Sequence, residues 1–256
     1  MSDGVFYFLL VGFRRLAASN KIELMTNSIW ISDYEIIHRC KTETFQLSVA
    51  AYPNKMNGKF ISQPKNWQVA EWNLEGIGKR EEFYVRGNDL VERYTSDENK
   101  LSTEVYSRIL PELDGVELIL SRQTSTLDSD AQMALKFRFD DANSVITMNE
   151  AGQWNAPGLG HENQANLSDP QIVAIGCLDA VQYAVFTYPG DCASIQAERR
   201  NEETVEVTIP LFSLHLEKGV IRRSRIQFVR AEGKDAMDQL AAKYRAFCNS
   251  EIPLTT

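Results

Sequence analysis

From about Ile29 to Arg230 the chain reads as one predicted strand after another, each a short segment rich in β-branched and aromatic residues. In Met133–Phe139, apolar side chains take every second position, and Lys136 and Arg138 stand between them. This period places apolar side chains on one face of a strand and polar ones on the other. Gly, Pro, Asn and Asp residues separate one such segment from the next. The pattern predicts an all-β protein, a large antiparallel β-sandwich.

The segment Asp235–Cys248 differs, because its apolar residues recur with a helical period. Five of them fall on one face of a helix: Met237, Leu240, Ala241, Tyr244 and Phe247. Asp235 can cap the start of this helix, since its side chain can accept a hydrogen bond from a backbone N–H of the first turn. We therefore expect one C-terminal α-helix, packed on the end or edge of the sheet.

The chain has 256 residues, and β-sandwiches of this length commonly form one domain. No linker, repeat or low-complexity tract divides it, so we expect a single β-sandwich domain over residues 25–256. Residues 1–24 contain the apolar run Gly4–Phe13, which is shorter than the roughly 20 residues that span a bilayer. We expect residues 1–24 to be a dispensable extension upstream of a start at Met25, or a segment packed on the body.

The same N-terminal segment bears on the compartment. A secretory signal carries Lys or Arg ahead of its apolar run, whereas Asp3 precedes this one, although Ala17–Ser19 fits a cleavage site. A cytoplasmic location is favoured, and export through the signal-like segment 4–19 stays open. Four scattered cysteines without a CxxC pair are typical of a reducing compartment. A disulfide between Cys177 and Cys192 stays open as an alternative.

Charge and motif content exclude several classes of function. The formal net charge of -8 is opposite to the basic excess that binds phosphate backbones, so no nucleic-acid partner is expected. No Cys/His cluster has the spacing of a metal site, and no phosphate loop or nucleotide fingerprint is present. We therefore expect neither a metal nor a cofactor, and no membrane partner.

Several segments of the sequence resemble those of known protein families. The order of the late elements, with the hairpin LHLEKGVIRRSRIQF, resembles the galactose-mutarotase-like β-supersandwich superfamily. The phrases GNDLVERY, EVYSRIL and GVELILSRQTSTLDSD and the tail IPLTT are similar to an uncharacterised planctomycete bacterial protein family, over most of the chain from Ile29. The first resemblance implies a concave sheet that faces a sugar. The second implies a bacterial protein and brings no activity with it.

The superfamily resemblance does not extend to epimerase chemistry. Aldose epimerases use a histidine as general acid and a late glutamate as base, and the sequence context that marks those residues is absent here. His161 falls in a loop and Glu217 in a hairpin turn, so neither is carried over as a catalytic position. A weaker catalytic candidate comes from the alternation in Phe212–Glu217, which places His215 and Glu217 on one face of a strand. They form either an acid–base pair or part of an exposed sheet face.

Residues 149–170 form the longest stretch without periodicity, and they are a candidate binding loop. The stretch contains Trp154, His161 and several amides. A saccharide site uses this mixture, with an aromatic ring against the apolar face of a sugar and planar polar groups for its hydroxyls. A structureless loop of this length is uncommon inside a compact domain and is often functional. Loops of this composition also occur without a function, and that alternative stays open.

Two neighbouring predicted strands carry a further set of polar residues. Tyr106 and Arg108 share a face of the first strand, and Arg122 lies on the second. They belong either to an exposed face with cross-strand ion pairs such as Arg108 with Glu117, or to the floor of a concave polar site. The expected ligand-binding residues are therefore Tyr106, Arg108, Arg122, Trp154 and His161.

These observations favour a protein that binds a carbohydrate or a similar polar ligand on a concave sheet face. Two alternatives stay open: a sugar-active enzyme (isomerase, lyase or hydrolase) on the same face, and a protein-interaction module without a small-molecule site. An enzyme requires two titratable groups that converge in a pocket, whereas an interaction module requires a flat apolar patch. An exposed edge strand would also allow a homodimer by strand addition.

Overall fold

Two large antiparallel sheets, packed face to face, dominate the fold. The computed structural model describes residues 30–33, 37–41, 45–52, 55–62, 67–98, 100–149, 152–156, 164–168, 172–176, 181–188, 190–192, 194–213 and 215–251. The expected antiparallel β-sandwich with one C-terminal helix is confirmed. The extension 1–24, His161 and Cys177 lie outside the described residues. Cys192 is a half-buried free thiol, so the described part contains no disulfide at this position.

Sheet A contains nine strands, which are numbered here along the chain. In spatial order they are β1 (Trp30–Asp33), β2 (Ile37–Lys41), β3 (Phe45–Tyr52), β4 (Lys55–Ser62), β5 (Trp67–Glu75), β11 (Met133–Phe139), β18 (Val205–Leu211), β17 (Ser194–Arg199) and β14 (Gln164–Ser168). Every described pair in this sheet is antiparallel. The predicted alternation in Met133–Phe139 is confirmed, since Met133, Leu135, Phe137 and Phe139 are buried.

Sheet B also contains nine strands. In spatial order they are β13 (Trp154–Asn155), β12 (Ser144–Met148), β15 (Ile172–Gly176), β16 (Val181–Thr187), β20 (Ile221–Glu232), β9 (Gly115–Thr124), β8 (Leu101–Leu110), β7 (Asp89–Ser96) and β6 (Lys79–Arg86). A short 3-10 helix, Pro111–Leu113, joins β8 to β9. A small two-stranded sheet is formed by β10 (Asp128–Ser129) and β19 (Leu216–Glu217).

The main core lies between the two sheets and is rich in aromatic rings. Phe228 of β20 is at its centre: its ring centroid is 4.6 Å from that of Phe60, 5.9 Å from that of Phe137 and 5.7 Å from that of Tyr183. Phe60 and Phe137 belong to sheet A, whereas Tyr183 belongs to sheet B. Ring pairs at these distances gain about 0.5–1.5 kcal/mol beyond the burial of their area. The rings therefore hold the two sheets in one relative position.

The C-terminal helix α1 (Ala236–Asn249) packs on the other side of sheet B and makes a third layer. The predicted apolar face is confirmed, because it is this face that contacts the sheet: Leu240, Ala241, Tyr244 and Phe247 are buried and Met237 is partly buried. Asp235 stands at the start of the helix, but its side chain makes no capping hydrogen bond. Its backbone carbonyl accepts one from Gln239 instead.

Two sequence-based expectations about loops are wrong. Residues 149–170 are not one structureless loop, since they contain β13 and β14. Residues 212–217 are not a continuous strand either, because β18 ends at Leu211 and Phe212 takes a left-handed conformation with φ +53°. A single left-handed residue reverses the chain direction locally and breaks the alternation of faces that the sequence pattern assumed.

Candidate functional site

The face of sheet B that contacts α1 is called the outer face here. Most of the polar residues that the sequence analysis proposed for this sheet lie on it. Directly opposite residues on neighbouring antiparallel strands point to the same side. Asp89 is opposite Arg108, Arg108 is opposite Glu117, and Glu117 is opposite Gln227. These four residues therefore form a polar row that crosses β7, β8, β9 and β20.

The Arg108 guanidinium is held by two carboxylates of this row. Its Nε and Nη2 donate to the two carboxylate oxygens of Asp89 at 2.7 and 2.9 Å, and its Nη1 is 3.5 Å from Glu117 Oε2. The expected ion pair between Arg108 and Glu117 is confirmed. The Asp89 carboxylate and the Arg108 guanidinium form a bidentate ion pair. The main role of Arg108 is therefore to connect β8 to β7.

Glu117 and Arg225 connect the same row to the helix. The buried Glu117 carboxylate accepts hydrogen bonds from Arg225 Nε and from Gln227 Nε2, the latter at 2.9 Å. Arg225 also donates from Nη1 to Ser250 Oγ at 2.8 Å, and its guanidinium lies 4.6 Å from the centroid of the Phe247 ring. A buried charge with this many partners is compensated. This network fastens the C-terminal end of α1 to the sheet.

Arg122 lies on the opposite face of sheet B, between the two sheets. Its Nη1 donates to the backbone carbonyls of Ala131 at 2.8 Å and Gln132 at 3.1 Å, and its Nη2 donates to that of Gly76 at 2.8 Å. Burial lowers the pKa of Arg122 to about 10, which leaves it charged at neutral pH. The structure therefore does not bring Arg122 together with Tyr106 and Arg108, and the three do not form one floor.

Tyr106 and Trp154 are also distant from each other. Tyr106 is buried, and its hydroxyl is 3.3 Å from Glu104 Oε2. Trp154 lies on β13, which is six strand positions from β8 in sheet B, or about 29 Å at the usual strand spacing. Its side chain packs against the cluster between α1 and the sheet. Of the described predicted ligand residues, only Tyr106 and Arg108 are neighbours on one face.

His215 and Glu217, the predicted catalytic pair, do not lie on one strand as expected. His215 lies just before β19, and its Nδ1 is 3.1 Å from Asp128 Oδ1. Glu217 pairs with Asp128 across the small sheet. The contact of the histidine is therefore with a carboxylate 87 residues away in sequence, and both groups are exposed to solvent.

A shallow depression of about 420 Å³ lies where β7 and β9 end and β8 begins. Eight of its nine lining residues carry a hydroxyl, amide, carboxylate or ammonium group, and the lining comprises Thr95, Ser96, Asp97, Lys100, Leu101, Ser102, Gln123, Thr124 and Ser125. Thr95, Ser102 and Gln123 stand opposite one another on the outer face. None of the ligand-binding residues expected from the sequence belongs to this lining.

The wall of the depression is fixed by local hydrogen bonds. Lys100 has a left-handed backbone with φ +51°, which is uncommon for a residue with a Cβ and a long side chain. Its carbonyl accepts from Ser125 N and from Thr124 Oγ1, each at 3.4 Å. Thr124 Oγ1 is also 2.9 Å from the hydroxyls of Thr126 and Ser129. Strained, well-supported turns of this kind concentrate at binding sites.

A separate buried cluster lies between the sheets, around Glu92 of β7. Glu92 is fully buried, and its carboxylate is 3.7 Å from Arg80 Nη1. Burial raises the pKa of Glu92 from 4.5 to about 7, although the Arg80 guanidinium and a hydrogen bond with Tyr94 act in the opposite direction. A buried carboxyl with a perturbed pKa can mark a functional site. Here its measurable consequence is a pH-dependent stability.

We expect the free energy of unfolding to decrease as the pH rises from about 4.5 to about 7 because of Glu92. In this range the unfolded chain has released the Glu92 proton while the folded protein retains it, so rising pH favours unfolding. Above the folded pKa the full destabilisation is present, on the order of 3 kcal/mol. Glu92→Gln removes the effect, and we expect this variant to be more stable than the unsubstituted protein at about pH 8.

Urea unfolding of both proteins at about pH 5 and about pH 8 measures this difference. Glu112→Gln is a suitable control, because Glu112 is exposed on the 3-10 helix. Equal pH slopes for the unsubstituted protein and Glu92→Gln would show that Glu92 is not the titrating group.

The described residues also bear on metal binding and on insertion into a membrane. None of the His, Cys, Asp and Glu side chains in that part of the chain form a group that could hold a metal ion. Within the same residues, no helix has both the length and the hydropathy needed to cross a lipid bilayer.

Comparison with known proteins identifies the fold. No family model matches the sequence, and no curated protein sequence matches it. A galactose mutarotase related enzyme from Lactobacillus acidophilus is similar in structure, with a TM-score of 0.55 and 7% identity over 78% of this chain and 99% of that chain. The resemblance to a planctomycete family stays a prediction.

Two larger glycosidases contain a similar fold as part of their length. A GH36 α-galactosidase from Geobacillus stearothermophilus has a TM-score of 0.55 and 8% identity, over 81% of this chain and 42% of that chain. An α-N-acetylgalactosaminidase from Bifidobacterium bifidum has a TM-score of 0.53 and 11% identity, over 82% of this chain and 38% of that chain. At these identities the likeness establishes the galactose-mutarotase-like β-sandwich fold.

Proposed function

We propose that this protein binds a carbohydrate in the polar depression at the ends of β7, β8 and β9. The observation that carries the proposal is the composition of the depression. A sugar presents many hydroxyls, each of which donates and accepts hydrogen bonds, and the lining offers donors and acceptors of several kinds. Its volume of about 420 Å³ lies within the usual range of small-molecule sites.

The charges of the lining are consistent with an uncharged ligand. Asp97 and Lys100 are its two ionisable residues, and they are of opposite sign. A phosphate or sulfate site normally gathers several cationic groups or a helix N-terminus, and this lining has one cation. The structural neighbours are named for enzymes of galactose and its derivatives. Galactosides are therefore the first ligands to test.

The proposal names binding rather than catalysis. Sugar isomerases, lyases and hydrolases require a general acid and a general base that converge on the substrate. The lining has one carboxylate, Asp97. Within the described part of the chain, His215 pairs with Asp128, but both side chains are exposed to solvent and neither belongs to the lining.

Isothermal titration with methyl β-D-galactopyranoside and methyl β-D-glucopyranoside tests the proposal. We expect saturable binding of at least one of them, weakened about fivefold by Gln123→Ala, since one hydrogen bond contributes about 1 kcal/mol. Gln196→Ala is the matched control, because Gln196 is also exposed but lies on sheet A. The proposal fails if neither glycoside binds, or if Gln123→Ala and Ser102→Ala leave the affinity unchanged.

A further inference from the structure

Exposed apolar side chains are concentrated beside the depression. Among the described residues, four large apolar side chains are exposed: Tyr84, Leu127, Val220 and Ile221. Leu127 is 84% exposed, Val220 40% and Ile221 50%. Single exposed apolar residues are ordinary on a protein surface, whereas a group at one place marks a contact surface. Three of these four are near the depression, and Tyr84 lies on the edge strand β6.

The strand register brings these three residues to the depression. Ile221 is directly opposite Gln123 in the pairing of β20 with β9, and such pairs have Cβ atoms about 5 Å apart. Gly219, the residue before Val220, donates its N–H to the carbonyl of Thr124 at 3.5 Å. Both Gln123 and Thr124 line the depression. Ile221 and Val220 therefore stand at its rim.

Leu127 is close to the lining along the chain. It follows Ser125, a lining residue, by two positions and precedes Asp128, the first residue of β10. Asp128 pairs with Glu217 of β19, and β19 leads directly into the turn before Val220. Leu127, Val220 and Ile221 are referred to below as the apolar rim.

We propose that the ligand is a glycoside with an apolar aglycone, whose sugar occupies the depression while the aglycone packs on the apolar rim. This inference rests on the proposed function. A free monosaccharide has no group that would cover the rim. An alkyl or aryl substituent on the anomeric oxygen would remove the rim from water, and each methylene buried in this way strengthens binding.

Titration of octyl β-D-galactopyranoside below its critical micelle concentration, beside methyl β-D-galactopyranoside, tests the inference. We expect the octyl glycoside to bind at least about tenfold more tightly, because burial of about two methylenes suffices for that gain. In the double variant Leu127→Ser/Ile221→Thr, we expect the octyl advantage to fall to threefold or less, because Val220 is then the one apolar residue left of the rim. Threonine keeps the β-branched shape that suits β20.

The control variant is Tyr84→Thr, which removes an exposed apolar side chain far from the depression and is expected to retain the full octyl advantage. Octyl and methyl affinities within threefold of each other would overturn the inference and leave carbohydrate binding intact. An octyl advantage that persists in the double variant would overturn it as well. If neither glycoside binds, or if only the octyl glycoside binds and Gln123→Ala has no effect, the proposed function itself fails.

Discussion

Replacement of Arg122 by leucine is expected to lower the free energy of unfolding by about 3 kcal/mol, because buried carbonyls lose their donors and an unsatisfied buried group costs about 1–3 kcal/mol. The guanidinium donates to three backbone carbonyls, those of Gly76, Ala131 and Gln132. These carbonyls belong to the connections that lead into β6 and β11, so Arg122 ties sheet B to two connecting segments. Leucine fills part of the space but leaves the carbonyls without these donors.

Urea unfolding at neutral pH measures the loss. The free energy of unfolding of Arg122→Lys is expected to lie between that of the unsubstituted protein and that of Arg122→Leu. An ammonium carries three donors but lacks the planar fork that reaches separate carbonyls. Arg138→Leu is the control: Arg138 is half-exposed on sheet A and pairs with Asp140 at 3.3 Å, so its loss is expected to stay below about 1 kcal/mol. A loss for Arg122→Leu no larger than this control would refute the structural role.

Replacement of Gly58 by alanine is expected to destabilise the protein by about 3 kcal/mol, at the upper end of the usual cost of overpacking. Gly58 of β4 is directly opposite Trp72 of β5, and the indole lies across the glycine. An added Cβ would be 2.0 Å from Trp72 Nε1 and 2.1 Å from Trp72 Cε2. Trp72 is buried, so its ring cannot move aside without displacing the core.

A double-mutant cycle with Trp72→Leu isolates this contact. In the Trp72→Leu background the space above residue 58 is open, so we expect Gly58→Ala to cost at least about 1.5 kcal/mol less there. Chemical unfolding of the four proteins gives the coupling energy. Equal costs in both backgrounds would mean that Gly58 is required for a reason other than Trp72.

Local patterns in the sequence were enough to predict the architecture. The alternation in Met133–Phe139 identified the buried face of β11, and the helical period identified the face of α1 that contacts the sheet. Both patterns depend on residues a few positions apart, and the free energy of burying apolar area selects the same faces in the folded protein. The prediction from alternation failed at Phe212, because the local sequence pattern does not indicate a left-handed residue there.

The predicted polar floor failed for a reason that the sequence already contained. Arg108 and Glu117 were expected to pair across β8 and β9, and they do. That pairing places Glu117 on the face of Arg108, and Arg122 is five positions from Glu117. An odd separation along a strand puts two side chains on opposite faces. The ion pair and a floor that includes Arg122 could therefore not both be correct.

The depression was beyond local reasoning because its residues come from three strand ends. Thr95, Ser102 and Gln123 meet only when β7, β8 and β9 pair in their observed register. The contact of His215 with Asp128 likewise depends on the pairing of β10 with β19. Such contacts between distant segments follow from sheet topology, which a single sequence specifies only through the total energy of the fold.

The position of β20 has a consequence for the synthesis of this protein. β20 lies in the middle of sheet B, between β16 and β9, yet about a hundred residues separate it from the end of β9. At the usual rate of translation, a ribosome needs on the order of ten seconds to add them. Until then one edge of β9, a strand that is buried along almost its whole length in the folded protein, offers its backbone groups to any other nascent chain. We expect the emerging polypeptide to be most prone to aggregation in this interval, before β20 occupies its place.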